Sequence, residues 1–218
     1  MRERIDPAPS RRSFVKTGAA IGAAAALTSI LPAAAAAMEP PSTYFASPDV
    51  VRPALFRAAM QALHFHGSRF TYRDRIAIAD FNQPSSSARF YFVDLLNGAT
   101  VSMPVTHGRG SDPEHTGWLQ SFSNEPGSFS SSNGAFLASD YYEGKHGLSQ
   151  RLVGLDPTNS NALDRAIVIH PAWYASHEVL RTNGQLGRSE GCFAVDQGDL
   201  QQAFALLGPG RMLYSAKV

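Results

Sequence analysis

Cys192 is the only cysteine in a 218-residue chain that opens with an export signal. Small exported proteins are often stapled by disulfides, and a single thiol forbids any internal one. The fold must therefore be held by a packed core and hydrogen-bonded strands alone. The thiol itself must be buried, joined to another chain, or kept free to react. It follows a glycine-rich turn, Gly187-Arg188-Ser189-Glu190-Gly191, and lies twenty-two positions after His170, which ends an apolar run. That setting favours a reactive thiol over the small core hydrophobe that a lone cysteine often is.

Ser10-Arg11-Arg12-Ser13-Phe14-Val15-Lys16 reads as a twin-arginine signal. A stretch rich in Ala and Gly follows over 18–31, and the alanine run at 33–37 offers an Ala-x-Ala cleavage site. The expected organisation is a signal peptide at 1–37, a linker at 38–47 and one catalytic domain at 48–218. The apolar stretch falls short of the about 20 strongly apolar residues of a membrane span, so no stable span is expected after cleavage. Passengers of this route cross the membrane folded, which lets a site with a free thiol form before it meets an oxidising compartment. The destination is periplasmic or extracellular. The formal charge is +1, and the signal holds Arg2, Arg4, Arg11, Arg12 and Lys16 against Glu3 and Asp6. Its removal leaves a mildly acidic chain with no basic run, which argues against nucleic-acid binding.

Within the domain, Ser47-Pro48-Asp49 predicts a helix start. Leu55, Phe56, Ala59, Met60 and Leu63 then recur at helical spacing up to about His64. Strands are predicted at 75–81, 90–96 and 99–105, the last two joined by an Asn97-Gly98 hairpin turn. Residues 107–134 read as a long loop, a feature that is often functional. Further short strands are expected at 134–139, 149–155 and 211–216. The apolar run 166–169 reads as a central strand ended by His170-Pro171. A helical turn at 172–179, a loop at 181–187, a strand at 192–195 and a last helix capped by Asp196 complete the reading. The fold class is mostly β with flanking helices, α+β.

A free thiol has a pKa of about 8.5. A neighbouring histidine can take its proton and hold the thiolate as an ion pair. Two strands ending side by side would bring His170 and Cys192 together. Backbone amides of the turn would then face the oxyanion formed when sulfur attacks a carbonyl. The imidazole needs an orienting acceptor, either Ser189 or a backbone carbonyl. Such chemistry calls for no cofactor and no metal.

These residues resemble a known family. His170 and the Ser189-Glu190-Gly191-Cys192 turn are similar to the histidine and Ser-x-Gly-Cys signature of the L,D-transpeptidases, the YkuD-like group, and closest to the murein L,D-transpeptidase catalytic domain branch. Further blocks recur in order: His107-Gly108-Arg109-Gly110-Ser111, Phe122-Ser123-Asn124, Ser131-Ser132-Asn133-Gly134, Tyr142-Glu143-Gly144-Lys145-His146-Gly147 and Arg165-Ala166-Ile167-Val168-Ile169-His170. The resemblance spans roughly 75–196. It implies a mixed β-sheet or sandwich fold and peptidoglycan stem peptides as partners, with a monomer as the expected state. It further implies that Cys192 attacks the carbonyl of the third stem residue, a diamino acid, expels terminal D-alanine, and passes the acyl group to an amine. His170 is then general base and acid, with Ser189 or the backbone as its orienter. Gly191 and Cys192 supply oxyanion amides, and Arg188, His107 and Arg109 lie toward substrate. Three departures stand out. Glu190 replaces a histidine of better-known members, Ala194 replaces an arginine that Arg188 would have to stand in for, and Pro171 replaces a glycine. Alternative readings are an L,D-carboxypeptidase that hydrolyses the same acyl-enzyme, and a non-catalytic wall-binding module.

Two other constellations compete. Gly187-Arg188-Ser189-Glu190-Gly191 fits a nucleophile elbow, but those hydrolases place the triad histidine after the serine, and no histidine follows His177. His64, His66, His107 and His115 invite a metal reading. His64 and His66, however, stand two apart near a helix end and face different ways. The serines of 128–132 read as a solvated loop. Trp118, Trp173 and Tyr174 suit either a groove lining or packing.

Overall fold

Alternation along adjacent strands divides the interior into two cores. The computed structural model describes residues 50–218. Among these are helices α1 (Pro53–Phe65), α2 (His177–Asn183) and α3 (Leu200–Leu207). One mixed sheet contains β1 (Arg75–Asp80), β2 (Phe90–Asp94), β3 (Thr100–Met103), β4 (Gly134–Gly144), β5 (Gly147–Gly154), β6 (Val168–Pro171), β7 (Phe193–Val195) and β8 (Met212–Ala216). Their order is β3-β2-β1-β8-β4-β5-β6-β7, with β1–β8 and β6–β7 parallel and the rest antiparallel.

Side chains alternate between sheet faces along a strand. Ile76, Ile78, Tyr91 and Val93 therefore enter one core, closed by Leu55, Phe56, Ala59 and Leu63 of α1. Ala77, Ala79, Phe90 and Phe92 enter the other, closed by Leu200, Ala203, Phe204 and Leu207 of α3. Phe193 of β7 sits inside the second core, in contact with the rings of Phe81, Phe90 and Phe136. This anchors the strand that follows Cys192.

The expected α+β class is the one observed, with several local differences. The signal, the linker and the Ser47-Pro48-Asp49 helix start lie outside the described residues. Residues 50–52 are not helical, and α1 begins at Pro53, whose missing N–H costs nothing in the first turn. Arg52 then binds Asp80 with both Nε and Nη2 at 2.9 and 2.7 Å, tying the helix start to the end of β1. The apolar strand is displaced: it runs Val168–Pro171 and so includes His170. Residues 181–183, expected as loop, extend α2, which Gly184 ends in the left-handed conformation. Asp199, not Asp196, precedes α3, while Asp196 accepts from the His177 N–H at the start of α2. The 128–132 serines are largely internal, since Ser130, Ser131 and Ser132 are buried.

The long loop is held from within by Arg89, which is fully buried. Its Nε and Nη2 donate to the Val105 carbonyl at 3.1 and 2.9 Å, and its Nη1 donates to the Gln83 carbonyl at 2.7 Å. Nη2 also reaches His107 Nδ1 at 2.7 Å. A guanidinium has no acceptor atom, so Nδ1 must accept and His107 must carry its proton on Nε2, which faces Asp112 Oδ2 at 3.2 Å. Burial pulls Arg89 down to about 9, against the pull of Asp80 and Asp112, and the group stays charged at neutral pH. His107 is therefore a buried tie and not a residue at the cleft mouth. Replacing Arg89 by Ala strands two carbonyls and one imidazole nitrogen at about 1–3 kcal/mol each. A loss of at least about 3 kcal/mol is expected in chemical denaturation.

Candidate active site

Parallel pairing of β6 with β7 sets His170 opposite Ala194 and Ile169 opposite Phe193. Cys192 lies two residues before Ala194. Strand alternation thus turns Cys192 to the face that carries His170, while Ile169, Phe193 and Val195 turn into the core. The sulfur and the imidazole line one cleft of about 420 Å³. The thiol donates to the Ala166 carbonyl at 3.5 Å. Ala166 itself sits at φ 54°, a left-handed conformation that a side chain disfavours by roughly 1 kcal/mol, and the chain keeps that strain beside Cys192.

The turn before Cys192 is built by hydrogen bonds. Ser189 Oγ donates to the Cys192 carbonyl at 2.7 Å and accepts from the Gly191 N–H at 3.1 Å. Ser189 N–H donates to the His107 carbonyl and Arg109 N–H to the Ser189 carbonyl, at 2.9 and 2.8 Å. Gly108 and Ser189 thereby form a parallel bridge. A Cβ on Gly108 would stand 2.3 Å from the Phe129 carbonyl oxygen, and one on Gly191, at φ +113°, 2.6 Å from the Ser130 carbonyl oxygen. Glycine is the residue that fits both positions. Arg165 ties the serine segment from the other side, donating to Ser123 O, Ser132 Oγ and Ser130 O at 2.7, 2.7 and 2.5 Å.

The orienting group of His170 is the Pro171 carbonyl, 2.9 Å from Nδ1. A carbonyl only accepts, so Nδ1 carries the proton and Nε2 offers the lone pair. Ser189 is engaged in the cysteine turn and does not touch the imidazole. The Gly191 amide is likewise committed to Ser189 Oγ. Arg109 donates to Glu190 Oε1 at 3.0 Å and lies over the Phe129 ring, and Arg188 is braced on the Asp112 and Pro113 carbonyls. Both arginines reach the cleft lining. His66 pairs with Asp156, His107 with Asp112, and His115 with the Leu186 carbonyl, in separate places.

Sequence reasoning gave no role to Tyr142, Lys145, His146 or Arg165, all of which line the cleft. The first three come from the β4–β5 hairpin, whose bulge between Ala138 and Tyr141 re-aims its outer half. Their signal was present in the Tyr142–His146 block, but it carried no spacing that ties a hairpin tip to a distant strand. Of the aromatics left open, Tyr174 lines the cleft and Trp173 is exposed.

Burial drives His170 down to about 4, aided by His146 and Lys145 and opposed by the Pro171 carbonyl. The Cys192 residue is partly exposed, yet the atoms packed on its sulfur push the thiol up, against the Val168 N–H, Lys145 and Arg165. At neutral pH the pair therefore rests as thiol and neutral imidazole, not as the ion pair expected from sequence.

Residues 48–215 match the L,D-transpeptidase catalytic domain family, and residues 8–28 match the signal sequence of the twin-arginine translocation pathway. The first match covers most of the chain, and the protein belongs to the L,D-transpeptidase catalytic domain family. The second directs export by the twin-arginine route to the periplasm or extracellular space. Solved structures similar to it include an L,D-transpeptidase from Mycobacterium smegmatis, at 12% identity and TM-score 0.40, covering 66% of this chain and 58% of that one. One from Stackebrandtia nassauensis shows 12% identity and TM-score 0.40 over 73% and 64%. The helical cell shape determining protein Pgp2 from Campylobacter jejuni shows 10% and 0.44 over 77% and 57%. The chain thus spans 57–64% of the length of these three. No curated protein matches the sequence. Among the described residues, no helix is long and apolar enough to cross a membrane.

Two pH responses are expected. His170 and His107 are both held near 4, below the ordinary 6.5. The unfolded chain binds more protons between these values, so folding stability falls as pH drops from about 6.5 toward 4. Urea denaturation at pH 7, 6, 5 and 4 checks this, and substituting either histidine should flatten the slope. Alkylation of Cys192 by iodoacetamide should rise with pH along a midpoint above the ordinary thiol value of about 8.5.

Proposed function

We propose that this chain is a peptidoglycan L,D-transpeptidase with Cys192 as nucleophile and His170 as its base. The observation that carries the reading is the register of β6 and β7, which turns both side chains to one cleft. His170 Nε2 takes the thiol proton as sulfur bonds to the carbonyl carbon of the third stem residue. Proton transfer accompanies attack, since the resting thiol is protonated. The Cys192 amide, with Gly191 committed elsewhere, serves the oxyanion. Collapse breaks the amide bond, His170 returns the proton to the departing D-alanine amine, and a thioester remains. An amine of a second stem then attacks the thioester and gives its proton to His170. Sulfur leaves and is reprotonated. Arg188 and Arg109, at the cleft lining, suit the carboxylates of the stem.

Mass spectrometry after incubation with imipenem tests the nucleophile, because the family is acylated by carbapenems. One adduct on Cys192 is expected, with none in Cys192→Ala and a rate at least about 100-fold lower in His170→Ala. Purified protein with disaccharide tetrapeptides should then yield crosslinked dimers and free D-alanine. Tripeptides without dimers would place water as acceptor, and wall binding without adduct would make the chain a binding module.

A further inference from the structure

The β4–β5 hairpin closes on its last cross-strand pair, Gly144 with Gly147, leaving Lys145 and His146 at the tip. There the His146 ring lies on the His170 ring, centroids 4.2 Å apart and planes 19° from parallel. The mechanism above gives this second imidazole no task. His146 is itself exposed, whereas His170 is 1% exposed. The Pro171 carbonyl grips one edge of the His170 ring. A single hydrogen bond fixes a point on a ring and leaves its plane free to tilt; a stacked face removes that freedom.

We propose that His146 is a positioning residue: its ring face fixes the plane of the His170 imidazole toward Cys192 and keeps water off it, so the hairpin tip must lie on the cleft for the base to work. The inference rests on His170 being the base of the proposed reaction. The charge distribution agrees with it. Burial and Lys145 hold His146 below the ordinary histidine range, against Glu190. His146 thus stands neutral beside His170 when the base takes the thiol proton, so the stack sets no like charge against that step. The other titratable or charged groups lining this cleft are Tyr142 and Lys145 from the hairpin, Arg109 from the long loop, Arg188, Glu190 and Cys192 from the turn before β7, Arg165 from the segment before β6, and Tyr174 after it.

The test uses the full chain as wild type, His146→Ala, His146→Phe and His170→Ala. Imipenem acylation of Cys192 is followed by mass spectrometry across pH, and the His170 ring is titrated by NMR. His146→Ala is expected to slow acylation about tenfold or more. Opening His170 to water should also carry its midpoint from about 4 back toward 6.5. His146→Phe keeps a ring face and should retain both the rate and the low midpoint. If His146→Ala leaves rate and midpoint unchanged, the positioning role is overturned. If His146→Phe is as slow as His146→Ala, the ring nitrogens matter and the role is equally overturned. A wild-type adduct that depends on His170 while ignoring His146 sinks this inference alone. A wild type that forms no adduct on Cys192, or the same adduct rate in His170→Ala, sinks the underlying reading and the inference with it.

Discussion

Parallel pairing between two very short strands holds the site together. β6 has four residues, the third of them His170, and β7 has three, directly preceded by Cys192. Their register is maintained from below by Ile169, Phe193 and Val195 in the α3-side core, and from the side by Thr106, which bonds Ala194 through both N–H and Oγ1. A slip by one residue would turn the sulfur into hydrocarbon and bring Phe193 to the cleft. The burial of aromatic rings around Phe193 opposes that slip, so the apolar core determines where the sulfur points.

Above this frame the chain uses polar burial in place of a disulfide. Arg89, Arg165 and the buried serines 130–132 draw loop carbonyls and hydroxyls inward, and nearly every donor finds an acceptor. The loop of 107–133 is thereby made into a wall of the cleft with little regular structure of its own. The glycines at 108 and 191 belong to the same solution, since they let two backbones approach where a Cβ would collide.

Much of this was legible in advance. Alternation in 76–79 and 90–93 announced both faces of the sheet, and an apolar run ending at His170 announced a central strand near the cysteine. Family blocks pointed to the loops that close on Cys192. What the sequence concealed were partners across long separations. His107 reads as a candidate ligand until Arg89 is found against it, and a proline is an unpromising neighbour until its carbonyl is seen to hold the imidazole. The sequence leaves the orienter open between Ser189 and a backbone carbonyl; in space the Pro171 carbonyl holds the imidazole and Ser189 shapes the turn. The hairpin tip was missed because strand alternation says nothing about where a bulge will bend a ribbon.

The elevated thiol of Cys192 has a consequence for life outside the cytoplasm. Peroxides and disulfide exchange act on thiolates and scarcely on protonated sulfur. A thiol held protonated by the atoms packed on it resists sulfenylation and mixed-disulfide capping. The packing that raises its pKa therefore also lowers the sulfur's reactivity toward oxidants.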